Sequence, residues 1–208
     1  MKVLLLNGSP NEKRCTYTAL FQVAQGLKEG GVDTEIEWVG SESIRPCVGC
    51  CACIKTGRCA FGVNDGVNAL IEKAMAADGL VIGSPVFFSG INGSLKSVLD
   101  RMFFAAGGTF AYKPGGAIVS ARRAGTTAAL DQLNKYFLIS QMLLVGSFYW
   151  PMVHGMTAED VHMDEEGVQV AGRLGANVAW TLRSIEAGKV AGVLQPALPT
   201  RVRTNFIR

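Results

Sequence analysis

Apolar residues occur along the chain in short blocks that predict five β-strands. Continuous apolar runs are typical of parallel strands covered on both faces. Such runs lie at 2–7, 79–84, 115–120 and 143–150. The segment 34–39 instead alternates apolar and polar side chains, which predicts a strand with one solvated face, nearer the sheet edge. Pro151 follows the last run and is expected to stop that strand.

Each predicted strand is followed by a segment in which apolar residues recur at helical spacing. These segments lie at 19–27, 65–75, 92–101, 128–142 and 162–187. Asp65 and Asn92 stand where N-cap residues are expected. Because β–α–β crossovers are right-handed, this alternation predicts an α/β fold with a doubly wound, five-stranded parallel sheet and helices on both faces. The expected strand order is 2-1-3-4-5.

The chain of 208 residues is long enough for one domain with a full core, which we place at residues 1–187. Residues 188–208 contain two prolines and three arginines and predict an extended arm. The arginines are Arg201, Arg203 and Arg208. They suit either a solvated tail or an arm that wraps a neighbouring subunit.

Composition narrows the class of protein. Hydrophobic residues make up 49% of the chain and charged residues 18%, which indicates a globular protein rather than a disordered one. No apolar stretch reaches the roughly 20 residues of a membrane-spanning helix, and the first apolar run is too short for a signal peptide. We therefore expect a cytoplasmic protein. A net charge of +3 is too small to indicate nucleic-acid binding.

The first strand leads into a polar loop and then a helix, a junction that suits an anion. Residues 8–18 are mostly small, hydroxylated or basic, and include Ser9, Thr16 and Thr18. Free backbone N–H groups and the helix dipole favour a phosphate there. The loop lacks both the Walker and the dinucleotide fingerprints, so a monophosphate fits better than a pyrophosphate. An ordinary strand-to-helix turn capped by Ser or Thr is the alternative.

Three such loops are expected to meet. Ligands in open parallel sheets bind at the carboxyl ends of the strands, where the strand order reverses. In the order 2-1-3-4-5 that point lies between the first and third strands. The loops after Asn7, Ser84 and Ser120 therefore predict one shared site.

Three motifs lie at or near these strand ends. They are Asn-Gly-Ser-Pro at 7–10 with Thr16 downstream, Gly-Ser-Pro-Val-Phe-Phe at 83–88, and Gly-Ser-Leu-Lys at 93–96 with Leu-Asp-Arg at 99–101. Together they resemble the flavodoxin-like NAD(P)H-dependent FMN reductases. The likeness covers about the first 150 residues. It implies a flavodoxin-like sheet and bound FMN, with NAD(P)H as co-substrate.

The resemblance also implies which residues contact FMN. Those around the phosphate are Ser9, Asn11, Cys15, Thr16, Tyr17 and Thr18. Those along the isoalloxazine ring are Pro85, Val86, Phe87, Phe88 and Gly90, with Ala121, Arg122, Arg123 and Gly125 on its other edge. The family often has Arg at the position of Asn11, so Lys13 or Arg14 would supply the charge. Core packing for the two phenylalanines and a solvated basic loop for the two arginines are the alternatives. No side chain is assigned a catalytic role, because the flavin carries the chemistry.

Five of the six cysteines lie between Cys47 and Cys59, inside a long irregular loop at 40–63. Four of them have the spacing C-x2-C-x2-C-x5-C, and Cys51 is extra. Short steps of this kind let one loop surround a cubane, and Gly49 and Gly57 permit the tight backbone. Lys55 and Arg58 would offset negative charge. Four thiolates also suit zinc, and a loop of free thiols is the third interpretation.

The loop resembles that of the iron–sulfur flavoproteins, a branch of the same family. That resemblance implies a [4Fe–4S] cluster held by Cys47, Cys50, Cys53 and Cys59. It also implies a homodimer or homotetramer.

Two functional hypotheses follow, and a third is weaker. The first is an enzyme that passes electrons from NAD(P)H through FMN to a small acceptor. The second is a single-electron carrier that receives electrons from a protein donor such as ferredoxin and relays them through FMN and the cluster. The third is a binding module stabilised by zinc.

Overall fold

The computed structural model describes residues 1–197, 199, 200, 202, 204 and 206. The strands are β1 (Lys2–Asn7), β2 (Asp33–Trp38), β3 (Gly79–Phe87), β4 (Gly90–Ile91), β5 (Pro114–Ala121), β6 (Leu143–Leu144) and β7 (Met152–His154). The helices are α1 (Cys15–Glu29), α2 (Cys53–Thr56), α3 (Val67–Ala76), α4 (Gly93–Ala106), α5 (Thr126–Ile139), α6 (Ala158–Met163) and α7 (Glu165–Val190), with a 3-10 turn (Gly107–Phe110) after α4.

The main strands form one parallel sheet in the order β2-β1-β3-β5, and β6 and β7 share the fifth position beside β5. This confirms the predicted doubly wound topology 2-1-3-4-5, with β2 at an edge. The two-residue strand β4 folds back antiparallel on the end of β3. Since the order along the sheet is β2-β1-β3-β5, the direction in which strands are added reverses between β1 and β3.

Side chains of β1 alternate between two apolar clusters, one on each face of the sheet. Leu4 and Leu6 pack in the cluster formed with α3, α4 and α5, whereas Val3 and Leu5 pack with α1 and α7. Burying an aliphatic side chain of this size contributes roughly 1.5–3 kcal/mol. Because helices cover both faces of the sheet, the side chains that point to either face of β1 are apolar. This explains the continuous apolar run in the sequence.

The predicted fifth strand at 143–150 is wrong in its extent. Only Leu143 and Leu144 form β6, and the chain then leaves the sheet before β7 begins at Met152. Exposed aromatic side chains fill this excursion, and Tyr149 packs edge-on against Trp150 with 4.9 Å between ring centroids. Pro151 precedes a strand rather than stopping one, because its carbonyl accepts the N–H of Val119 (3.1 Å) and its missing N–H is not needed there.

The predicted helix at 162–187 is two helices, which corrects a second boundary. α6 and α7 are separated at Asp164, whose carboxylate accepts the N–H of Gly167 (3.0 Å) and so caps α7. α7 continues to Val190, so the first residues of the predicted arm are helical. Arg201, Arg203 and Arg208 lie outside the described residues. No helix in the described part of the chain has the length and apolar composition needed to cross a membrane.

Three smaller corrections concern the segments that border the site. The cysteine loop contains one helical turn, α2. Asp65 is not the N-cap of α3, because Gly66 occupies that position with φ +75°. β3 continues past Pro85 to Phe87, since β4 returns alongside its last residues.

Candidate functional site

The carboxyl ends of β1, β3, β5 and β7 surround a cleft of about 170 Å³. Its walls come from the loop after β1, the start of α1, the end of β3, and the segments that follow β5 and β7. The lining residues are Ser9, Pro10, Asn11, Arg14, Cys15, Thr16, Pro85, Val86, Phe87, Ser120, Ala121, Arg122, Gly155 and Met156. The three loops expected to converge do meet here, and a fourth, after β7, joins them.

The loop after β1 is fixed by its own side chains. Asn7 Oδ1 accepts the N–H of Ser9 (3.1 Å), and Asn7 Nδ2 donates to the Glu12 carbonyl (2.7 Å). Ser9 Oγ in turn accepts the N–H of Asn11 (3.1 Å). From β2, Trp38 Nε1 donates to the Ser9 carbonyl (2.8 Å). These four hydrogen bonds stabilise the conformation of the loop.

The N-terminus of α1 opens on this cleft with the polarity that an anion needs. Among the described residues no side chain caps it, and its first turn contains no acidic residue. The first-turn N–H groups and the positive end of the helix dipole are thus available to a ligand. Arg14 lines the cleft beside them, whereas Lys13 is absent from its lining.

Two buried hydroxyls lie at the inner end of the cleft. Thr16 Oγ1 on α1 and Ser120 Oγ on β5 are 2.8 Å apart, and either one can donate. Nearby, the Cys15 thiol donates to the Thr157 carbonyl (3.2 Å). Burial raises the pKa of Cys15, which keeps the thiol protonated as that donor requires.

A strained hairpin between β3 and β4 forms the outer wall of the cleft. Phe88 and Ser89 have φ of +50° and +60°, which is unfavourable for residues other than glycine. Phe87 lines the cleft and is 45% exposed, whereas the Phe88 side chain is fully exposed. Gly125, with φ +93°, contacts Ser89 so closely that an added Cβ would lie 2.8 Å from Ser89 Oγ.

The cysteine loop forms a second, separate pocket against α4. It is lined by Pro46, Cys47, Val48, Cys50, Cys51, Cys53, Cys59, Ala60, Phe61, Arg101 and Phe104. Cys53 is buried, Cys59 is half-buried, and Cys47 and Cys50 are exposed. Gly49 and Gly57 both have φ +66°, so they make the tight turns expected of them.

The charges near the cysteines differ from those expected. Arg58 pairs with Glu72 at the surface, and Lys55 is exposed. The buried Arg101 of α4 instead donates from Nε to Cys59 Sγ (3.2 Å). Burial opposes the charged guanidinium, but Asp65 and Cys59 outweigh it and raise the pKa of Arg101.

The positions of the thiols can be compared with what a metal site requires. Within the described ranges, no three His, Cys, Asp or Glu side chains come together around a point as a single metal ion requires. A [4Fe–4S] cluster would need one thiolate at each of its four irons. Burial raises the pKa of Cys53, and the neighbouring thiols Cys59, Cys50 and Cys47 add to the rise, although a backbone hydrogen bond opposes it.

Comparison with known proteins assigns the fold and family. The sequence model of the NADPH-dependent FMN reductase family matches residues 1–157. The chain belongs to this family. It is also 30% identical over 194 residues to an iron–sulfur flavoprotein of Methanocaldococcus jannaschii, covering 89% of this chain and 100% of that one.

Two further comparisons agree. An iron–sulfur flavoprotein of Methanosarcina thermophila is 25% identical over 193 residues, covering 91% of this chain and 99% of that one. A flavodoxin from the domain Archaea superposes with a TM-score of 0.58 at 14% identity, covering 88% of this chain and 99% of that one. The fold is therefore flavodoxin-like, and the FMN reductase family to which the chain belongs gives it an FMN-dependent redox role.

Not every residue assigned to FMN from the sequence lines the cleft. Ser9, Asn11, Cys15, Thr16, Pro85, Val86, Phe87, Ala121 and Arg122 do. Tyr17, Thr18, Phe88, Gly90, Arg123 and Gly125 do not, within the lining that the structure defines. Tyr17 stacks on Phe21, and Thr18 Oγ1 donates to the Arg14 carbonyl (3.3 Å), so both side chains serve α1 itself.

Sequence reasoning assigned no cleft role to Ser120, Gly155 or Met156. In the sequence, Ser120 marks the end of an apolar run, and no motif marks its hydroxyl as part of the site. Gly155 and Met156 follow β7, which the expected stop at Pro151 concealed. A strand placed at 152–154 would have put its outgoing residues at the same edge of the sheet.

Proposed function

We propose that this protein is an FMN-dependent oxidoreductase that passes electrons from NAD(P)H or ferredoxin to a small acceptor, with a [4Fe–4S] cluster as a second redox centre. Family membership supports the flavin part. The names of the similar iron–sulfur flavoproteins and the four-cysteine pocket support the cluster part.

The observation that carries the flavin proposal is the uncapped N-terminus of α1 beside buried hydroxyls and Arg14. A monophosphate bound there would accept hydrogen bonds from the first-turn N–H groups of α1 and from the hydroxyls of Ser9 and Thr16. Arg14 would supply the charge that Asn11 lacks. A phosphate is thereby bound mainly by backbone and dipole, with one cation.

The rest of the cleft suits the ring of FMN. Pro85, Val86 and Phe87 would lie along one side, with Ala121 and Arg122 on the other. FMN, when bound, supplies hydride acceptance from a nicotinamide and release of one or two electrons. The protein's own residues orient the ring, offer backbone N–H groups to its polar edge, and leave a face open. No acid or base side chain is required.

The cysteine pocket favours a second candidate function, that of a single-electron carrier without direct NAD(P)H activity. Cys47, Cys50, Cys53 and Cys59 would hold the cluster, one thiolate to each iron. Arg101 would offset part of its negative charge. In either function we propose a homodimer or homotetramer, which light scattering would measure.

The flavin proposal is tested by titrating the protein with FMN and riboflavin and following flavin fluorescence. Thr16→Val removes a hydroxyl that lines the cleft, and Thr18→Val, two residues away, removes one that does not. We expect Thr16→Val to weaken FMN binding by roughly 10- to 150-fold, since a hydrogen bond to a charged group is worth about 1.5–3 kcal/mol, and to leave riboflavin binding unchanged. Equal effects of both variants, or no FMN binding by the wild type, would refute the proposal.

The cluster and the electron donor are tested together under anaerobic conditions. Protein reconstituted with iron and sulfide should hold about four irons per chain and absorb broadly near 400 nm. Rapid bleaching of FMN by NADPH or NADH would support the reductase. Bleaching by reduced ferredoxin alone would support the carrier.

A further inference from the structure

Arg101 is a buried cation whose polar contacts all lie in or beside the cysteine loop. Its side chain is 1% exposed, although it sits on α4, whose outer residues are solvated. Nε donates to Cys59 Sγ (3.2 Å) and Nη1 donates to the Arg45 carbonyl (3.1 Å). Nη1 and Nη2 also donate to the two carboxylate oxygens of Asp65. The guanidinium therefore connects the residues just before and just after the four-cysteine segment.

This arrangement exceeds what stabilising a buried charge requires. The bidentate pair with Asp65 already compensates the positive charge of the guanidinium, and the carbonyl of Arg45 accepts a further hydrogen bond from it. The remaining Nε–H is directed at sulfur, which is a weak acceptor as a thiol and a much stronger one as a thiolate. The planar guanidinium fixes these directions relative to one another, which a lysine cannot do.

The other basic residues of the loop do not substitute for Arg101. Lys55 is exposed, and Arg58 is held at the surface by Glu72. Arg45 is also exposed, and its guanidinium stacks over the Phe61 ring at 4.3 Å from the centroid. In the part of the chain that the structure describes, Arg101 is the one buried side-chain cation that lines the cysteine pocket. A fixed positive charge beside a thiolate-bound cluster favours the more negative, reduced state of the cluster.

We propose that Arg101 is a positioning residue for the iron–sulfur centre, holding Cys59 Sγ in its ligating orientation, joining the two ends of the loop, and tuning the cluster by its charge. This inference rests on the proposed cluster. It assigns a role to a residue of α4, outside the cysteine motif, and it requires no contact between Arg101 and the flavin.

The test compares Arg101→Gln and Arg101→Lys with Lys96→Gln, a control on the same helix whose pair with Asp100 is exposed. Each reconstituted protein is measured for iron loss to a chelator, for cluster midpoint potential and for FMN content. Lost outer contacts to a metal ligand typically cost 10–100-fold in affinity, so Arg101→Gln should lose iron about 10–100 times faster. Its potential should fall, because a charge that stabilises the reduced cluster is gone.

Arg101→Lys should have a midpoint potential close to that of the wild type but should still lose iron faster than the wild type. It keeps the positive charge but lacks the guanidinium that makes four directed hydrogen bonds. Lys96→Gln should behave as the wild type, and FMN content should not change in any variant. If Arg101→Gln fails to fold, as shown by lost FMN, Arg101→Lys decides the question by its iron loss.

Wild-type iron retention and potential in both Arg101 variants would overturn the inference and leave the cluster standing. A wild-type protein that takes up no iron and sulfide would instead remove the cluster and this role together, while FMN binding would remain.

Discussion

Single hydroxyl groups join the elements that form the cleft at the strand ends. Ser84 Oγ, at the end of β3, accepts the N–H of Asn92 (3.1 Å) and donates to the Pro85 carbonyl (2.9 Å), which ties the hairpin to the start of α4. Thr16 and Ser120 join α1 to β5 in the same way. Each of these groups is buried, so losing its partner costs about 1–3 kcal/mol. Replacing any one of them should therefore lower stability as well as change the cleft.

At the residue scale, Gly125→Ala should disturb the flavin cleft through backbone conformation. Gly125 has φ +93°, and an added Cβ would lie 2.9 Å from the Cα of Ser89. Strain of this kind costs of order 1–3 kcal/mol, and any relief must move the hairpin that carries Phe87. We expect lower thermal stability and weaker FMN binding in a fluorescence titration.

Gly108→Ala is the matched control, because nothing lies within 4 Å of its added Cβ and its φ is not in the left-handed region. It should leave FMN affinity unchanged. Unaltered FMN affinity in Gly125→Ala would mean that the hairpin does not shape the flavin site.

At the scale of elements, α1 and α7 approach closely because glycines face carbonyls across the contact. A Cβ at Gly26 would lie 2.1 Å from the Gly172 carbonyl oxygen, and one at Gly175 would lie 2.0 Å from the Val23 carbonyl oxygen. Such distances cannot be relieved by a side-chain rotation, since both obstacles are backbone. The two helices therefore cover one face of the sheet at a separation that larger residues would not allow.

Gly175→Ala and Gly172→Ala should change stability in opposite directions. Gly175→Ala must push the helices apart, and overpacking of this kind costs typically about 1–3 kcal/mol. Nothing lies within 4 Å of a Cβ at Gly172, so its replacement should raise the free energy of unfolding by up to about 1 kcal/mol through helix propensity. Chemical denaturation of both variants measures the difference. A stabilised Gly175→Ala variant would show that the helices are not in close contact in solution.

A charge network between β1, β2 and α3 predicts a dependence of stability on pH. Glu35 pairs with Lys2 and Lys73, which together lower its pKa from 4.5 to about 2. Because the folded pKa lies below the unfolded one, these pairs stabilise the fold above about pH 4.5, and the contribution is lost as the pH falls toward 2. Since the groups are partly exposed, the effect should be below about 1 kcal/mol.

Glu35→Gln should therefore lose less stability than the wild type between pH 4.5 and 2, as measured by urea unfolding at each pH. Glu29→Gln, at an exposed position on α1, should follow the wild type. Parallel curves for wild type and Glu35→Gln would argue against the network, and high salt should reduce the difference.

The sequence patterns predicted regular elements well and irregular ones poorly, for a physical reason. Strands buried on both faces, such as β1, form apolar runs because helices cover both faces of the sheet there. The fifth position failed because the aromatic residues of the excursion at 145–151 are as apolar as a buried strand. Hydrophobicity records how apolar a residue is, and not whether it pairs in the sheet, so exposed Phe148 and Tyr149 looked like strand residues.

At the scale of the molecule, the strand-end location of the cleft followed from topology alone, but residues reached only through tertiary contacts did not. Arg101 lies 42 residues from Cys59, and no local pattern relates them. Trp38 was placed correctly as a strand residue, yet its contact with Ser9 depends on the register of β2 against β1. Such contacts depend on how the helices and strands pack against each other, which local sequence patterns do not specify.

The cleft at the strand ends, where we propose that FMN binds, and the cysteine pocket are distinct parts of one chain, linked by α4. This helix starts next to the hairpin that borders the cleft and reaches the cysteines at Arg101, eight residues and about 12 Å later at about 1.5 Å per residue. The cleft has none of the five cysteines of the loop in its lining. Loss of one cysteine ligand should therefore abolish the cluster without abolishing flavin binding.

Cys53→Ser tests this independence, with Cys51→Ser as its control in the same loop. Cys53 is the buried member of the four-cysteine spacing, and Cys51 is exposed and outside that spacing. After anaerobic reconstitution, Cys53→Ser should lose most of the about four irons per chain, and Cys51→Ser should keep them. Both should bind FMN with an affinity within about twofold of the wild type, a difference of less than about 0.5 kcal/mol. The reason is that neither cysteine lines the cleft. Equal iron loss in the two variants would exclude the proposed ligand set, and loss of FMN from Cys53→Ser alone would show that the two sites are coupled through α4.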